Sequence, residues 1–174
     1  VQTLEQGFEA AQHVREGFRK LLEELSQKSG LKPKLAGTKS MSRAEEKERD
    51  SPDTLQVERR EKDGPPCAWI FDLERASLFG NNVQSLSSGI KTLLELQGQK
   101  KHIQRITCGE FDDIMICRGK NRFANPDFGY RDLSINVRLQ QGKFWHMVEL
   151  QMRLQTMVPI DDTQHELYGK LRTY

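Results

Sequence analysis

The sequence predicts an α/β (α+β) fold, a mixed sheet of about five strands flanked by helices, in a single domain spanning residues 1–174. Three observations carry this. Apolar side chains recur every three or four positions near the start, a dense apolar run in the middle passes into helical spacing, and four short β-type segments follow. At 174 residues the chain is one domain's worth, since single cores commonly occupy about 100–200 residues.

Leu4, Phe8, Ala11, Val14, Phe18, Leu21, Leu22 and Leu25 form the apolar stripe of an N-terminal amphipathic helix within residues 1–30. Ser29-Gly30 and then Pro33 end it, because glycine favours the C-terminal cap and the residue before proline is pushed out of the α region. A second helix is expected from near Ser40 to about Glu48. Residues 49–66 mix charges with Pro52, Gly64, Pro65 and Pro66 and read as a disordered surface insertion. Residues 67–174 supply the sheet and a closing helix. The run "CAWIFDLERASLFG" fits a buried strand, and Val83, Leu86, Ile90, Leu93 and Leu94 restore helical spacing. "HIQRITCG", "DIMICRG", "RDLSINVRL" and "KFWHMVELQMRL" have strand character, the last two joined at Gln140-Gln141-Gly142. Asp161-Asp162-Thr163 are good helix-starting residues ahead of Leu167 and Leu171.

Composition narrows the classes. A hydrophobic fraction of 36%, 30% charged residues and a mean hydropathy of −0.72 leave part of the chain outside the core. The net charge of +2 gives no general attraction to nucleic acid or acidic membrane, so an anion site must come from local clustering. Cys67, Cys108 and Cys117 lack CxxC spacing, which argues against a disulfide framework or structural zinc and for a reducing, cytoplasmic setting. No apolar run has the length of a membrane helix, and the sequence does not set the oligomeric state.

Four local patterns point to chemistry. Lys39, Arg43 and Lys47 recur every four residues, lining one helix face with cations as a triphosphate requires; a solvated face paired with Glu45, Glu46 and Glu48 is the simpler alternative. Asp72 ends the apolar run Trp69-Ile70-Phe71, where a carboxylate needs a partner: Mg2+ or Arg75. Glu149 shares a strand face with Met147, Gln151 and Arg153, opposite Val148, Leu150 and Met152, giving a polar face that is either the floor of a site or ordinary solvent surface. Arg118, Lys120 and Arg122 precede Gly129-Tyr130-Arg131, cations and an aromatic ring suited to a purine and its phosphates. A lone Tyr130 or His165 is as readily structural.

Taken in order, the basic helix, the Asp72 segment, the long helix, "GYRDLSINV", "VELQMR" and "HELYGKLR" resemble the synthetase domain of RelA/SpoT-type alarmone enzymes. Gly129 to Ser134 is similar to that family's "GYRSLH", and Val148 to Leu154 to its "VEIQIRT". The resemblance implies the nucleotidyltransferase-like RelA/SpoT synthetase fold and a pyrophosphokinase using ATP, Mg2+ and a guanine nucleotide acceptor, or a tRNA 3′ end in toxin-like relatives. It implies that Lys39 and Lys47 bind ATP phosphates, Asp72 and Glu149 hold Mg2+, and Tyr130 stacks on the acceptor base. Glu149 would also help deprotonate the attacking hydroxyl. Gln151 and Arg153 would complete the polar wall, and His165 with Lys170 would match the closing helix. With a tRNA acceptor, Arg118, Lys120 and Arg122 would help hold the RNA backbone. Departures fall at Gly37, Arg43, Ser77 and Ser134, where the family carries arginine, serine, arginine and histidine; Arg43 and Arg75 are the spatial replacements at hand. These differences bear on acceptor and activity rather than on fold, and those at Gly37, Ser77 and Ser134 motivate the alternative of a catalytically inactive regulatory module that binds nucleotide or a protein partner.

Overall fold

Thr3 opens the first helix by accepting a hydrogen bond from the Gln6 amide at 3.3 Å, and Gly30 closes it in the left-handed region at φ 72°. The structure is a computed structural model and describes residues 3–49, 72–98, 111–126 and 131–160. Helix α1 (Leu4–Ser29) buries Val14, Phe18, Leu21, Leu22 and Leu25, each of which stabilises by roughly 1.5–3 kcal/mol. Leu4 and Phe8, at the head of the same stripe, pack instead on a small cluster of Ala11, Ala44 and Leu73. That cluster fixes helix α2 (Met41–Arg49) against the start of α1.

Between these helices lies strand β1 (Lys32–Leu35), which the sequence pattern does not announce. Four residues with a proline and two lysines are the composition of a protected sheet edge, where Pro33 needs no ladder bond. Strand β2 (Glu74–Gly80), helix α3 (Val83–Gly98), and strands β3 (Asp113–Asn121), β4 (Leu133–Gln141) and β5 (Phe144–Leu154) follow. Asn82 accepts from the Ser85 amide at 2.9 Å at the head of α3. The sheet runs β1-β2-β5-β4-β3. β2 and β5 are parallel and the other pairs antiparallel. A mixed five-stranded sheet was expected, but β1 stands where the segment 102–109 was to contribute; that segment lies outside the described residues. So do most of the expected insertion, Cys67, Cys108, Tyr130, His165 and the expected closing helix from Asp161.

Two expectations are corrected. Asp72 is not on a strand: it sits in the turn leading into β2, because Leu73 is drawn into the small cluster and the ladder begins only at Glu74. The β4–β5 turn is Gly142-Lys143 rather than centred on Gln141, since Gln141 pairs with Phe144 and Gly142 supplies the positive φ of 60°.

Helices α1 and α3 cover one face of the sheet. Ala76, Leu78, Ile135, Val137, Leu139, Val148, Leu150 and Met152 meet Phe18, Leu21, Leu86, Leu93 and Leu96 in one core. Among the described residues no helix is long and apolar enough to cross a membrane.

Candidate active site

Strand alternation builds the site. On β5, His146, Val148, Leu150 and Met152 are buried, while Met147, Glu149 and Gln151 are only partly so, which is the alternation the sequence predicts. The register then lines the second face of the sheet with polar rows. Arg75, Glu149, Asn136 and Arg118 stand side by side on β2, β5, β4 and β3. The next row is Lys34, Ser77, Gln151, Ser134 and Lys120, crossing all five strands. Arg153 follows beside Phe79, with the Arg122–Asp132 pair at the exit of β3.

Arg118 and Lys120 reach this face because of a bulge. Up to Ile116 the even-numbered residues of β3 face the core, as Ile114 does, but the ladder slips between Ile116 and Arg118, so that Arg118 pairs with Asn136. Simple alternation would have sent both cations into the core.

Each charged group here has a defined environment. Ser134 is buried and donates to Glu149 Oε1 at 2.7 Å, holding the carboxylate in one place. Arg122 binds Asp132 through two nitrogens at 2.6 and 3.2 Å. Burial raises the Asp132 carboxyl above its ordinary range, opposed by Arg122 and Arg153, with nearby Glu149 adding to the rise. Arg122 is therefore committed to a buried acid, whereas Arg75 and Arg118 are exposed and make no ion pair among the described residues.

At the leading end of β2, Lys39 Nζ donates to Asp72 Oδ2 at 2.6 Å, both side chains mostly buried. The Lys39 amide also bonds the Leu73 carbonyl at 3.0 Å, so this lysine is anchored at both ends. Arg43 is exposed and pairs with Glu46 on its own helix, the solvated-face alternative. Lys47 lies on α2.

The structure thus brings Glu149, Gln151, Arg153, Arg75 and Lys120 onto one face and joins Lys39 to Asp72. It adds residues that the sequence reading passed over: Lys34, Ser77 and Asn136 by register, and Ser134 as the partner of Glu149. Ser77 and Ser134 had drawn attention only as departures.

Among the described residues no group of three or more His, Cys, Asp or Glu side chains gathers. Of the two carboxylates expected to hold a cation, Asp72 is paired with Lys39 in the turn before β2 and Glu149 accepts from Ser134 on β5. Both are the hard oxygen donors that Mg2+ takes, one or two at a time, in a shell completed by water and substrate phosphates.

The five-stranded mixed sheet with helices on one face has the fold of RelA/SpoT-type synthetase domains. A GTP pyrophosphokinase family protein from Streptococcus pneumoniae superposes with a TM-score of 0.60 at 13% identity, over 98% of this chain and 76% of that one. Small alarmone synthetase 1 from Bacillus subtilis gives 0.59 at 15% identity over 98% and 79%, and its AMPCPP-bound form 0.54 at 14% over 94% and 79%. The type VI effector Tas1, solved in complex with its immunity protein, gives 0.51 at 17% identity over 88% and 64%. No family model matches the sequence. Nor does any curated protein.

Proposed function

We propose that this domain is an ATP-dependent pyrophosphokinase that transfers the β,γ-pyrophosphoryl group of ATP to the 3′-hydroxyl of a guanine nucleotide. The carrying observation is the row Arg75-Glu149-Asn136-Arg118 on the open sheet face, a single held carboxylate between Arg75 and Asn136 with Arg118 beyond. The Lys39–Asp72 pair stands at the head of the strand beside it.

In this reading the acceptor's 3′-oxygen attacks the β-phosphorus as its proton passes to Glu149, whose position Ser134 fixes. The bond from the β-phosphorus to the α,β-bridging oxygen breaks, and AMP leaves. Lys39 and Arg75 neutralise charge on the donor phosphates, while Arg118 and Lys120 hold those of the acceptor. Catalysis then rests on alignment and preorganised charge rather than a covalent intermediate. Mg2+, held by Asp72 and Glu149, would supply further charge neutralisation at the transferring phosphates. The fold, shared with alarmone synthetases, and the AMPCPP held by one of them support a nucleotide donor. A tRNA acceptor has less support, since Arg122, one of the three cations that favoured it, is tied to Asp132.

Incubating the domain with ATP, magnesium and GDP or GTP, then separating the nucleotides, tests the assignment. AMP release matched by acceptor consumption is expected, lost in Glu149→Ala. Undiminished turnover in that variant would remove the proposed role of Glu149. Binding of a nonhydrolysable ATP analogue without any product would instead identify a non-catalytic nucleotide-binding module.

A further inference from the structure

The connection between β1 and α2 is tied down by side chains outside the polar face. Glu74 is fully buried at the start of β2, on the core side, where an unpaired carboxylate is costly. Arg15 of α1 pairs with it. Thr38 donates its hydroxyl to Glu74 Oε1 at 2.5 Å, while Arg15 donates to Thr38 Oγ1 at 3.0 Å and to the Ala36 carbonyl at 3.1 Å. Arg15, Thr38 and Glu74 therefore close a ring joining α1, the β1–α2 connection and the entry of β2.

The immediate neighbours of this ring are the Lys39–Asp72 pair. Lys39 follows Thr38, Asp72 lies two residues ahead of Glu74, and the Lys39 amide bonds the intervening Leu73 carbonyl. An ion pair buried at its carboxylate end is a poor device for stability alone, because apolar side chains of similar volume commonly hold a core as well. What it provides here, with two added bonds to a connecting loop, is a fixed backbone position. Lysine needs that: its ammonium sits on a flexible four-carbon stem, and only an anchored Cα limits where the charge can go.

We infer that Arg15, Glu74 and Thr38 are positioning residues that set Lys39 and Asp72 for the phosphates of the nucleotide donor. The inference rests on the transferase reading and adds to it a role for residues that do not touch substrate. It predicts an effect on donor binding that is separable from stability and from the acceptor.

Thr38→Val removes the hydroxyl and keeps the ion pair. Calorimetric titration with a nonhydrolysable ATP analogue and magnesium should then give a Kd weakened about tenfold, because small displacements of a positioning group have large effects. GDP affinity, measured well below the Tm of the variant, should stay close to wild type, and Thr38→Ser, which keeps the hydroxyl, should restore analogue binding. The double variant Arg15→Met/Glu74→Leu should fold and bind the analogue as weakly as Thr38→Val. Hydrogen exchange at the Lys39 amide should quicken in both. Wild-type analogue affinity in Thr38→Val overturns the positioning role while leaving the transferase reading in place. Failure of the wild type itself to bind the analogue overturns the transferase reading, and unchanged Lys39 exchange in Thr38→Val would then overturn the anchoring as well.

Discussion

Glu74 and Glu149 lie on adjacent parallel strands, yet the register pairs Glu74 with Val148 and Glu149 with Arg75, so they face opposite sides of the sheet. Burial raises the Glu74 carboxyl above its ordinary range, against the pull of Thr38 and Arg15; Glu149 is held by Ser134 on the polar side. Glu149→Gln is expected to lower kcat by at least about 100-fold, the scale of a positioned base, and to change unfolding free energy by less than about 1 kcal/mol. Turnover assays beside urea unfolding check both. His146 is the second case. It is buried on the core side of β5, opposite Leu139, with no hydrogen-bond partner for Nε2 among the described residues, and burial pushes its pKa down to about 4. The unfolded chain takes up that proton near pH 6.5 while the folded one does not until about pH 4. Stability therefore falls as pH drops through this window, by about 2 kcal/mol between pH 7 and pH 5. In His146→Leu that loss should disappear from urea titrations at the two pH values; an unchanged difference would place the acid sensitivity elsewhere. Glu149 was legible because its strand alternates cleanly. Glu74 and His146 also left a trace, each sharing the parity of an apolar stripe (Ala76 and Leu78; Val148, Leu150 and Met152). What parity cannot give is the partner: Arg15 lies 59 residues from Glu74.

At the scale of elements, α1, α2, α3 and the β4–β5 hairpin were readable from periodicity and capping residues, because each is specified by contacts close in sequence. Strand β1 was not, since a four-residue edge strand has one covered side and carries too little pattern to register. The bulge in β3 escaped for a different reason: it is a property of the pairing with β4, and it reverses the faces of Arg118 and Lys120 relative to simple alternation. The closeness of α1 to the segment entering β3 yields a further prediction. A Cβ on Gly17 would stand 2.6 Å from Cζ of Phe111, an overlap that outweighs the helix propensity gained by alanine. Gly17→Ala should destabilise by about 1–3 kcal/mol, with urea midpoints as the measure; a more stable variant would mean that the ring moves aside freely.

For the molecule as a whole, the sheet order β1-β2-β5-β4-β3 gathers one face from residues that are far apart in the chain. Lys34, Ser77, Lys120, Ser134 and Gln151 form a single row only because β5 enters between β2 and β4. The sequence offered the ingredients in family-like order but not this arrangement, which depends on one parallel pairing between β2 and β5. That face, with α1 and α3 confined to the other side, is the basis for reading the domain as a transferase of two phosphoryl groups together. Supplying ATP labelled at the β-phosphorus, with magnesium and GDP or GTP, tests this most directly. The label is expected to move to the acceptor, and the AMP released to be unlabelled. Label left in ADP while only the γ-phosphoryl group moves, or left in intact ATP, would contradict that reading.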